Sequence, residues 1–185
     1  MQKKRVVVTG MGVVSPNGIG LDNFETALRQ GKSGIRFIPR LEELKFACRI
    51  AGVPENFEAF AENVFDPRDL EHLTGNLGYA ALSAVEAWRD AGLKEPMDSD
   101  ATDWDSGTIF GCGICDMETI AGRVVPMINA GNVRRLGTRV IERVMGSGVS
   151  AHVSGLLGLG NQVTSNSSAC STGTEAIVDA AWRIR

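Results

Sequence analysis

The chain has 185 residues, of which 43% are hydrophobic and 22% are charged, and its formal net charge is −3. This composition is typical of a soluble globular protein with one sizeable core, and the slightly acidic balance argues against general nucleic-acid binding. Apolar runs stay shorter than the roughly 18 residues of a membrane span, and the valines after the basic N-terminus are too few for a signal peptide, so we expect a cytoplasmic protein without membrane contact.

The first half of the chain predicts one strand and two helices. The run RVVVTG at 5–10 predicts a buried strand, and LDNFETALRQG at 21–31 predicts a short helix that ends at Gly31. Prolines predict that residues 35–70 are irregular. The longest helical pattern, at 73–93, has an apolar face made of Leu77, Ala81, Val85 and Trp88.

The second half continues the alternation of strands and helices. It predicts strands at 106–113 and 161–166, and helices at 117–131 (with a break near Pro126), 140–160 and 172–184. Such alternation is typical of an α/β protein with a largely parallel sheet. The last helical pattern stops without a glycine, so we expect the chain to belong to something longer.

The four cysteines, in a chain without a signal peptide, are expected to be reduced. Cys112 and Cys115 form a C-x-x-C motif in a glycine loop. A zinc site needs two more ligands at suitable spacing, and a redox pair normally opens a helix. Coincidental spacing is therefore favoured over metal or redox use, and we predict no metal site.

The segment VVVTGMGVVSPNG invites a dinucleotide-binding interpretation because Gly10 and Gly12 follow a predicted strand. That motif needs a third glycine at the start of a helix. Ser15 and Pro16 stand there instead, so a tight structural turn is favoured over a nucleotide site.

Cys170 lies in TSNSSACSTGT (164–174), at or just before the first turn of the last predicted helix, where Thr172 and Glu175 match a capping box. Free amides and the helix dipole at that place stabilise a thiolate and a developing oxyanion, which predicts a nucleophile. The alternative is a small cysteine packed at a helix start. The sequence assigns no base, because neither His72 nor His152 can be paired with Cys170 from spacing.

Five segments resemble the β-ketoacyl-[acyl carrier protein] synthases, the condensing enzymes of fatty-acid and polyketide synthesis. They are VVVTGMGVVSPNG, GKSGI (31–35), GCGI (111–114), MGSGVSAH (145–152) and SNSSACSTGTEAI (165–177). The resemblance implies the thiolase fold, a layered α/β/α/β/α sandwich of two similar halves. Residues 1–185 would form most of the N-terminal half, a ketosynthase domain that we expect to be incomplete at its C-terminal end.

The resemblance also implies the chemistry. Cys170 would accept the acyl chain from the phosphopantetheine thiol of the carrier, with its own amide as one arm of an oxyanion hole. Decarboxylation of malonyl-carrier would give a carbanion that attacks the thioester and releases 3-oxoacyl-carrier. No metal or organic cofactor is implied. The catalytic histidines of the family belong to the second half, and neither His72 nor His152 matches their motifs.

Further positions follow from the same resemblance. Ile114, with Gly113 in its loop, would border the acyl pocket; the alternative is that Ile114 merely packs under the strand end. Arg134, in a cluster with Arg135, Arg139 and Arg143, and Arg68 match places where the family docks its acidic carrier. Glu71 departs from the usual basic residue, and each arginine has the alternative of a solvated charge.

The resemblance leaves three rivals to an elongating synthase. They are a non-catalytic chain-length-factor-like partner subunit, an inactive structural fragment, and a priming synthase that uses acyl-CoA. The presence of Cys170 argues against the first. The implied partners are acyl carrier protein with acyl and malonyl thioesters, and a second subunit, because 145–158 and 161–166 lie where the family forms its two-fold interface. A homodimer is favoured over a heterodimer with a second ketosynthase-like subunit.

Overall fold

The computed structural model describes residues 4–94, 96, 101–114 and 116–185. The chain divides into two compact units. The first contains Glu71–Ala81, Lys94–Arg185 and the residues up to Val8, and the second contains Thr9–Leu70 and Leu82–Leu93. None of the helices in the described ranges is long and apolar enough to cross a membrane.

The second unit consists of two small antiparallel hairpins and several helices. Its elements are β1 (Val14–Ser15), β2 (Gly18–Ile19), α1 (Leu21–Arg29), β3 (Ile35–Phe37), α2 (Pro39–Glu43), β4 (Ile50–Gly52), α3 (Phe57–Glu62), α4 (Pro67–Leu70) and the second half of α5 (Gly75–Asp90). Its core contains Ile19, Ala27, Phe57, Ala61, Phe65, Leu82 and Val85. The predicted helix α1 and its stop are confirmed, because Gly31 follows it with φ of +63°.

The prediction that residues 35–70 are irregular is wrong. It holds the β3–β4 hairpin, in which Phe37 pairs with Ile50, and three short helices. Pro39 and Pro67 stand in the first turns of α2 and α4. A proline is tolerated there because the first amides of a helix have no partner inside it. These prolines begin helices and do not break them.

Residues 5–10, predicted to be a buried strand, form no strand among the described residues. Val7 and Val8 are 63% and 77% exposed. A strand is defined by a neighbour that takes up its backbone hydrogen bonds, and no described strand pairs with this segment. The β-branched run alone was therefore not sufficient to predict a strand.

Gly10 and Gly12 serve close packing on α5, and the tight turn predicted for this segment lies at Pro16 and Asn17, between β1 and β2. A Cβ on Gly12 would lie 2.0 Å from the Ser83 carbonyl oxygen, and one on Gly10 would lie 2.2 Å from that of Ala87. Glu86 fixes the same loop, because its carboxylate accepts the Val13 amide at 2.8 Å and the Leu21 amide at 2.6 Å. The two glycines thus leave room for the backbone of a helix and not for a phosphate.

The first unit contains the parallel strands β5 (Thr108–Gly111) and β6 (Val163–Asn166), as predicted. Its helices are the first half of α5, α6 (Met117–Thr119), α7 (Val125–Asn129), α8 (Arg139–Val144), α9 (Gly148–Leu156) and α10 (Thr172–Ile184). A π-helical turn (Ile120–Val124) joins α6 to α7 where a break near Pro126 was predicted, and 3₁₀ turns occupy Val133–Arg135 and Ala169–Ser171. The two predicted strands thus pair in parallel, and the antiparallel pairs among the described residues are separate hairpins that the sequence did not predict.

Helices cover both faces of the β5–β6 pair. Ser165 and Asn166 are neighbours in β6 and therefore point to opposite faces. The Ser165 hydroxyl bonds that of Ser150 in α9 at 2.8 Å, whereas the Asn166 amide bonds Glu175 in α10 at 3.0 Å. The pair is a helix–sheet–helix layer with α9 on one side and α10 on the other.

The segment 140–160, predicted as one helix, is divided into α8 and α9. Met145 between them has an extended conformation. A Cβ on Gly148 would lie 2.1 Å from the Glu142 carbonyl oxygen, so this close return needs a glycine. Ser150 is 1% exposed and its carbonyl accepts the Thr108 hydroxyl at 3.1 Å, so its small side chain lets this helix lie close to β5.

The helices predicted at 73–93 and 172–184 are confirmed. In α5, Leu77, Ala81 and Val85 are buried as the pattern required, and Trp88 is half-buried. In α10 only Ala176 is buried, and its apolar side chains Ile177 and Trp182 are each 69% exposed.

Candidate functional site

Cys170 lies at the middle of the 3₁₀ turn Ala169–Ser171, between the end of β6 and the start of α10. Its side chain is exposed. Ala169 before it has φ of +52°, in the left-handed region that costs a residue with a Cβ about 1–2 kcal/mol. The chain therefore turns sharply from strand to helix and leaves the thiol at the carboxyl edge of the sheet.

The glycine loop after β5 lies beside this turn. A Cβ on Gly111 would lie 2.4 Å from the Thr172 backbone carbon and oxygen, and one on Gly113 would lie 3.8 Å from the Ala169 carbonyl oxygen. The Cys112 amide donates to the Asn166 carbonyl at 3.0 Å. The fold thus brings together Gly113 and the Cys170 turn, two places that the sequence singled out.

Ile114 is 67% exposed, so within the described chain its side chain does not pack under the strand end, which was the alternative considered for it. Its carbonyl accepts the Asn76 side-chain amide at 2.7 Å and the Cys112 thiol at 3.4 Å. Asn76 is a contributor that sequence reasoning missed, because it stands 38 residues away inside a helical pattern. The backbone of the loop is held while the Ile114 side chain stays accessible.

Asp116, which was also missed, fixes the far end of the loop. It is 4% exposed and begins α6, where its carboxylate accepts the Glu118 amide at 3.1 Å and the Thr119 hydroxyl at 2.7 Å. Thr74 in the segment before α5 approaches the same carboxylate at 3.4 Å. A D-x-E-T sequence after the glycines is the signal that could have revealed this N-cap. Cys115, the second cysteine of the C-x-x-C motif, lies outside the described residues.

The predicted capping box at the start of α10 is wrong. The N-cap is Ser171, whose side chain makes no capping hydrogen bond, and Thr172 is already the first helical residue. Glu175 accepts the Asn166 side-chain amide at 3.0 Å and does not reach back to the N-cap. Within the described chain the Asn166 Oδ1 and Ser168 Oγ atoms are buried and have no hydrogen-bond partner.

The two histidines line a cleft of about 360 Å³ with Arg139 and Arg143. The cleft that holds the histidines does not include Cys170.

The basic cluster is divided between free and engaged arginines. Arg134 lies in the exposed turn Val133–Arg135 and has no ion-pair partner in the part of the chain described. Glu71 engages two others: its carboxylate lies 3.7 Å from Arg139, and its carbonyl accepts from Arg143. Glu71, which departs from the expected basic residue, thus reduces the positive charge of this surface.

Arg68 belongs to the second unit, at the exposed first turn of α4. Asp66 accepts the amides of Arg68 and Asp69 at 2.8 and 3.0 Å. Hydrogen bonds from the Asp69 and Arg68 amides hold the pKa of Asp66 below its ordinary value, and the charge of Arg68 contributes to the same effect. The carboxylate therefore stays charged next to Arg68.

Residues 3–185 match the family model described as beta-ketoacyl synthase, N-terminal domain, and the chain belongs to this family. The 3-oxoacyl-[acyl-carrier-protein] synthase 2 of Coxiella burnetii is 32% identical over 184 residues, which are all of this chain and 43% of that protein. That of Vibrio cholerae is 29% identical with the same coverage. The chain thus spans less than half the length of the curated relatives that it matches.

Solved structures show the same fold. A beta-ketoacyl synthase from Burkholderia phymatum gives a TM-score of 0.78 at 27% identity, covering 98% of this chain and 43% of its own. A type II PKS ketosynthase in complex with its acyl-carrier protein gives 0.77 at 25% identity, covering 100% and 43%. The ishigamide ketosynthase/chain length factor gives 0.66 at 25% identity, covering 96% and 45%. The prediction of an α/β protein with the thiolase-like ketosynthase fold is confirmed.

Proposed function

We propose that this chain carries the nucleophile of a β-ketoacyl-[acyl carrier protein] synthase, and that the nucleophile is Cys170. The observation that supports this proposal is the strained turn at Ala169, which leaves an exposed thiol at the start of α10 beside the glycine loop of β5. A helix start without a side-chain cap directs partial positive charge toward that place. A thiolate and a developing oxyanion are both stabilised there.

In the proposed reaction the Cys170 sulfur attacks the acyl thioester of the carrier protein. The carbonyl carbon gains a bond to Cys170 and loses its bond to the carrier thiol, which leaves as the free thiol. Malonyl-carrier then loses CO2, and its carbanion attacks the Cys170 thioester. The cysteine is released and the product is a 3-oxoacyl-carrier two carbons longer. No metal or organic cofactor takes part in these steps.

We propose that Gly113 and Ile114 border the acyl chain. A glycine at 113 keeps side-chain atoms away from the Cys170 turn, and the exposed Ile114 offers apolar surface in the same loop. Acyl chains are apolar, so burial of their methylenes against such surface is favourable.

We propose that acyl carrier protein, carrying acyl and malonyl thioesters, is the partner that Arg134 and Arg68 contact, and that the whole protein is a homodimer. Arg134 is exposed and unpaired in the described chain, which suits an acidic partner. The comparison with a ketosynthase bound to its acyl-carrier protein supports the partner class. The comparison with a ketosynthase/chain length factor keeps a heterodimer as the second candidate.

The test of the nucleophile is the rate at which the thiols react. The whole natural protein is treated near pH 7 with dilute iodoacetamide, and each cysteine peptide is quantified over time. We expect Cys170 to react much faster than Cys48 and Cys112, and acyl-carrier to protect it while leaving an acyl mass on its peptide. If Cys170 is inert while the others react, the protein has a structural or chain-length-factor-like role.

Reversal of the Arg134 charge should weaken carrier binding. Arg134→Glu removes one favourable charge and adds an unfavourable one, so we expect the KM for acyl-carrier to rise about tenfold at low salt and the effect to shrink at high salt. The matched control is Arg29→Glu on α1, which makes the same change in net charge at an exposed arginine that is ion-paired with Glu25 on its own helix. Equal KM values for the two variants would exclude Arg134 from the docking surface.

A further inference from the structure

We infer that Glu175 is a positioning residue for Cys170, acting through Asn166. Asn166 is the last residue of β6 and Glu175 is the fourth residue of α10. The Asn166 Nδ2 group donates to Glu175 Oε2 at 3.0 Å. This hydrogen bond ties together the two ends of the segment 167–171 that carries the thiol. The inference rests on the proposed role of Cys170 as nucleophile.

The segment between these two residues needs an external support. Ala169 holds a left-handed conformation that relaxes unless its surroundings fix it. Among the described residues the backbone hydrogen bonds of the turn are short-range, from the Ser171 amide to the Ser168 carbonyl at 3.1 Å and from the Thr172 amide to the Ala169 carbonyl. Its side chains do not brace it, because Ser171 makes no cap and the buried Ser168 hydroxyl has no partner in the described chain.

Asn166 is suited to provide that support because it is already fixed. It pairs with Gly111 in the parallel ladder, and its carbonyl accepts the Cys112 amide at 3.0 Å. The Asn166–Glu175 bond therefore connects the first turn of α10 to the sheet and, through Cys112, to the glycine loop. When the bond is absent, α10 and the Cys170 turn can shift relative to the loop that borders the thiol.

Glu175 has a second, opposing effect through its charge. A carboxylate in the first turn favours the helix, but it also opposes negative charge on a nearby sulfur. Replacement by glutamine separates the two effects, because the glutamine carbonyl still accepts from Asn166 and the charge is gone. Replacement by alanine removes both. A positioning role therefore predicts that Glu175→Ala lowers the alkylation rate of Cys170 and that Glu175→Gln does not.

The experiment compares Glu175→Ala, Glu175→Gln and Asn166→Ala in the whole protein. The rate of Cys170 alkylation by iodoacetamide is measured at fixed pH with Cys48 as internal reference. We expect about a three- to tenfold lower rate for Glu175→Ala and for Asn166→Ala, with no further loss in the double variant. Glu175→Gln should react at the wild-type rate or faster, and Cys48 should be unchanged throughout.

The outcomes separate this inference from the proposed function. If wild-type Cys170 reacts no faster than Cys48, the nucleophile assignment fails before any variant is considered. If wild-type Cys170 is fast and Glu175→Ala keeps the wild-type rate, or Glu175→Gln falls as far as Glu175→Ala, the positioning role is overturned while the nucleophile stands. Asn166→Ala breaks the same bond from the strand side and decides the question if Glu175→Ala does not fold.

Discussion

Cys170→Ala in the whole protein should reduce condensation activity by at least about a thousandfold, because loss of a covalent nucleophile removes the acyl-enzyme route altogether. The exposed side chain contributes little to packing, so the melting temperature should stay within about 2 °C of the wild-type value. The measurement is the rate of 3-oxoacyl-carrier formation, together with the intact mass of the enzyme after incubation with acyl-carrier. The wild type should gain one acyl group and the variant none.

The control for this variant is Cys48→Ala. Cys48 is also exposed, lies in the second unit before β4, and its thiol donates to the Ile50 carbonyl at 3.6 Å. It should keep wild-type activity and accept one acyl group. Acylation of the Cys170→Ala protein at the wild-type rate would show that another residue receives the acyl chain, and the assignment of Cys170 would be abandoned.

Gly111→Ala should destabilise the protein by about 3 kcal/mol and lower its melting temperature by several degrees. A Cβ at this position would lie 2.4 Å from two backbone atoms of Thr172, and no rotamer change relieves a clash with backbone. The start of α10 has to move away from β5, so the alkylation rate of Cys170 should fall as well. Thermal unfolding and the labelling assay measure the two effects on one sample.

Gly122→Ala is the matched control for Gly111→Ala. A Cβ on Gly122 meets nothing within 4 Å, so alanine there should leave the melting temperature unchanged or slightly raised. A Gly111→Ala protein with wild-type stability and wild-type Cys170 reactivity would mean that β5 and α10 are not packed as closely as the structure has them.

The elements that the sequence predicted correctly have long or unambiguous patterns. The helix α5 repeats buried Leu77, Ala81 and Val85 at helical spacing over four turns. The strands β5 and β6 are short runs that begin with two β-branched residues and end in a glycine or a polar residue, and they pair with each other. Periodicity suffices in these cases because the local pattern and the tertiary partner agree.

The errors arose where a partner decides the structure. Residues 5–10 have the composition of a strand but no described strand beside them. The division of 140–160 depends on the close return of Gly148 to Glu142, which a helical pattern does not reveal. Glu175 was assigned to a capping box, whereas Asn166 across the turn takes its carboxylate. In each case the presence or absence of a packing partner outweighed a local preference.

The site could be predicted in part. Cys170 was proposed because a lone thiol among small residues before a helix is a strong local signal, and Gly113 was proposed through the family resemblance of its loop. Asn76, which holds the backbone of the neighbouring loop, lies at the start of α5 and has no local signal of that role, whereas Asp116 had the N-cap signal D-x-E-T. A residue such as Asn76 acts through geometry and can be recognised only when the chain is folded.

The exposed apolar face of α10 provides an optical label. Trp182 is 69% exposed at the end of the same helix that begins beside Cys170. Indole fluorescence shifts to the blue and resists quenching by iodide when water is excluded, so its emission colour reports whether a neighbouring surface covers this helix. Trp104 is 72% exposed as well, and its replacement by phenylalanine would leave a simpler spectrum. The helix that presents the thiol therefore also carries a chromophore from which assembly of the protein can be followed in solution.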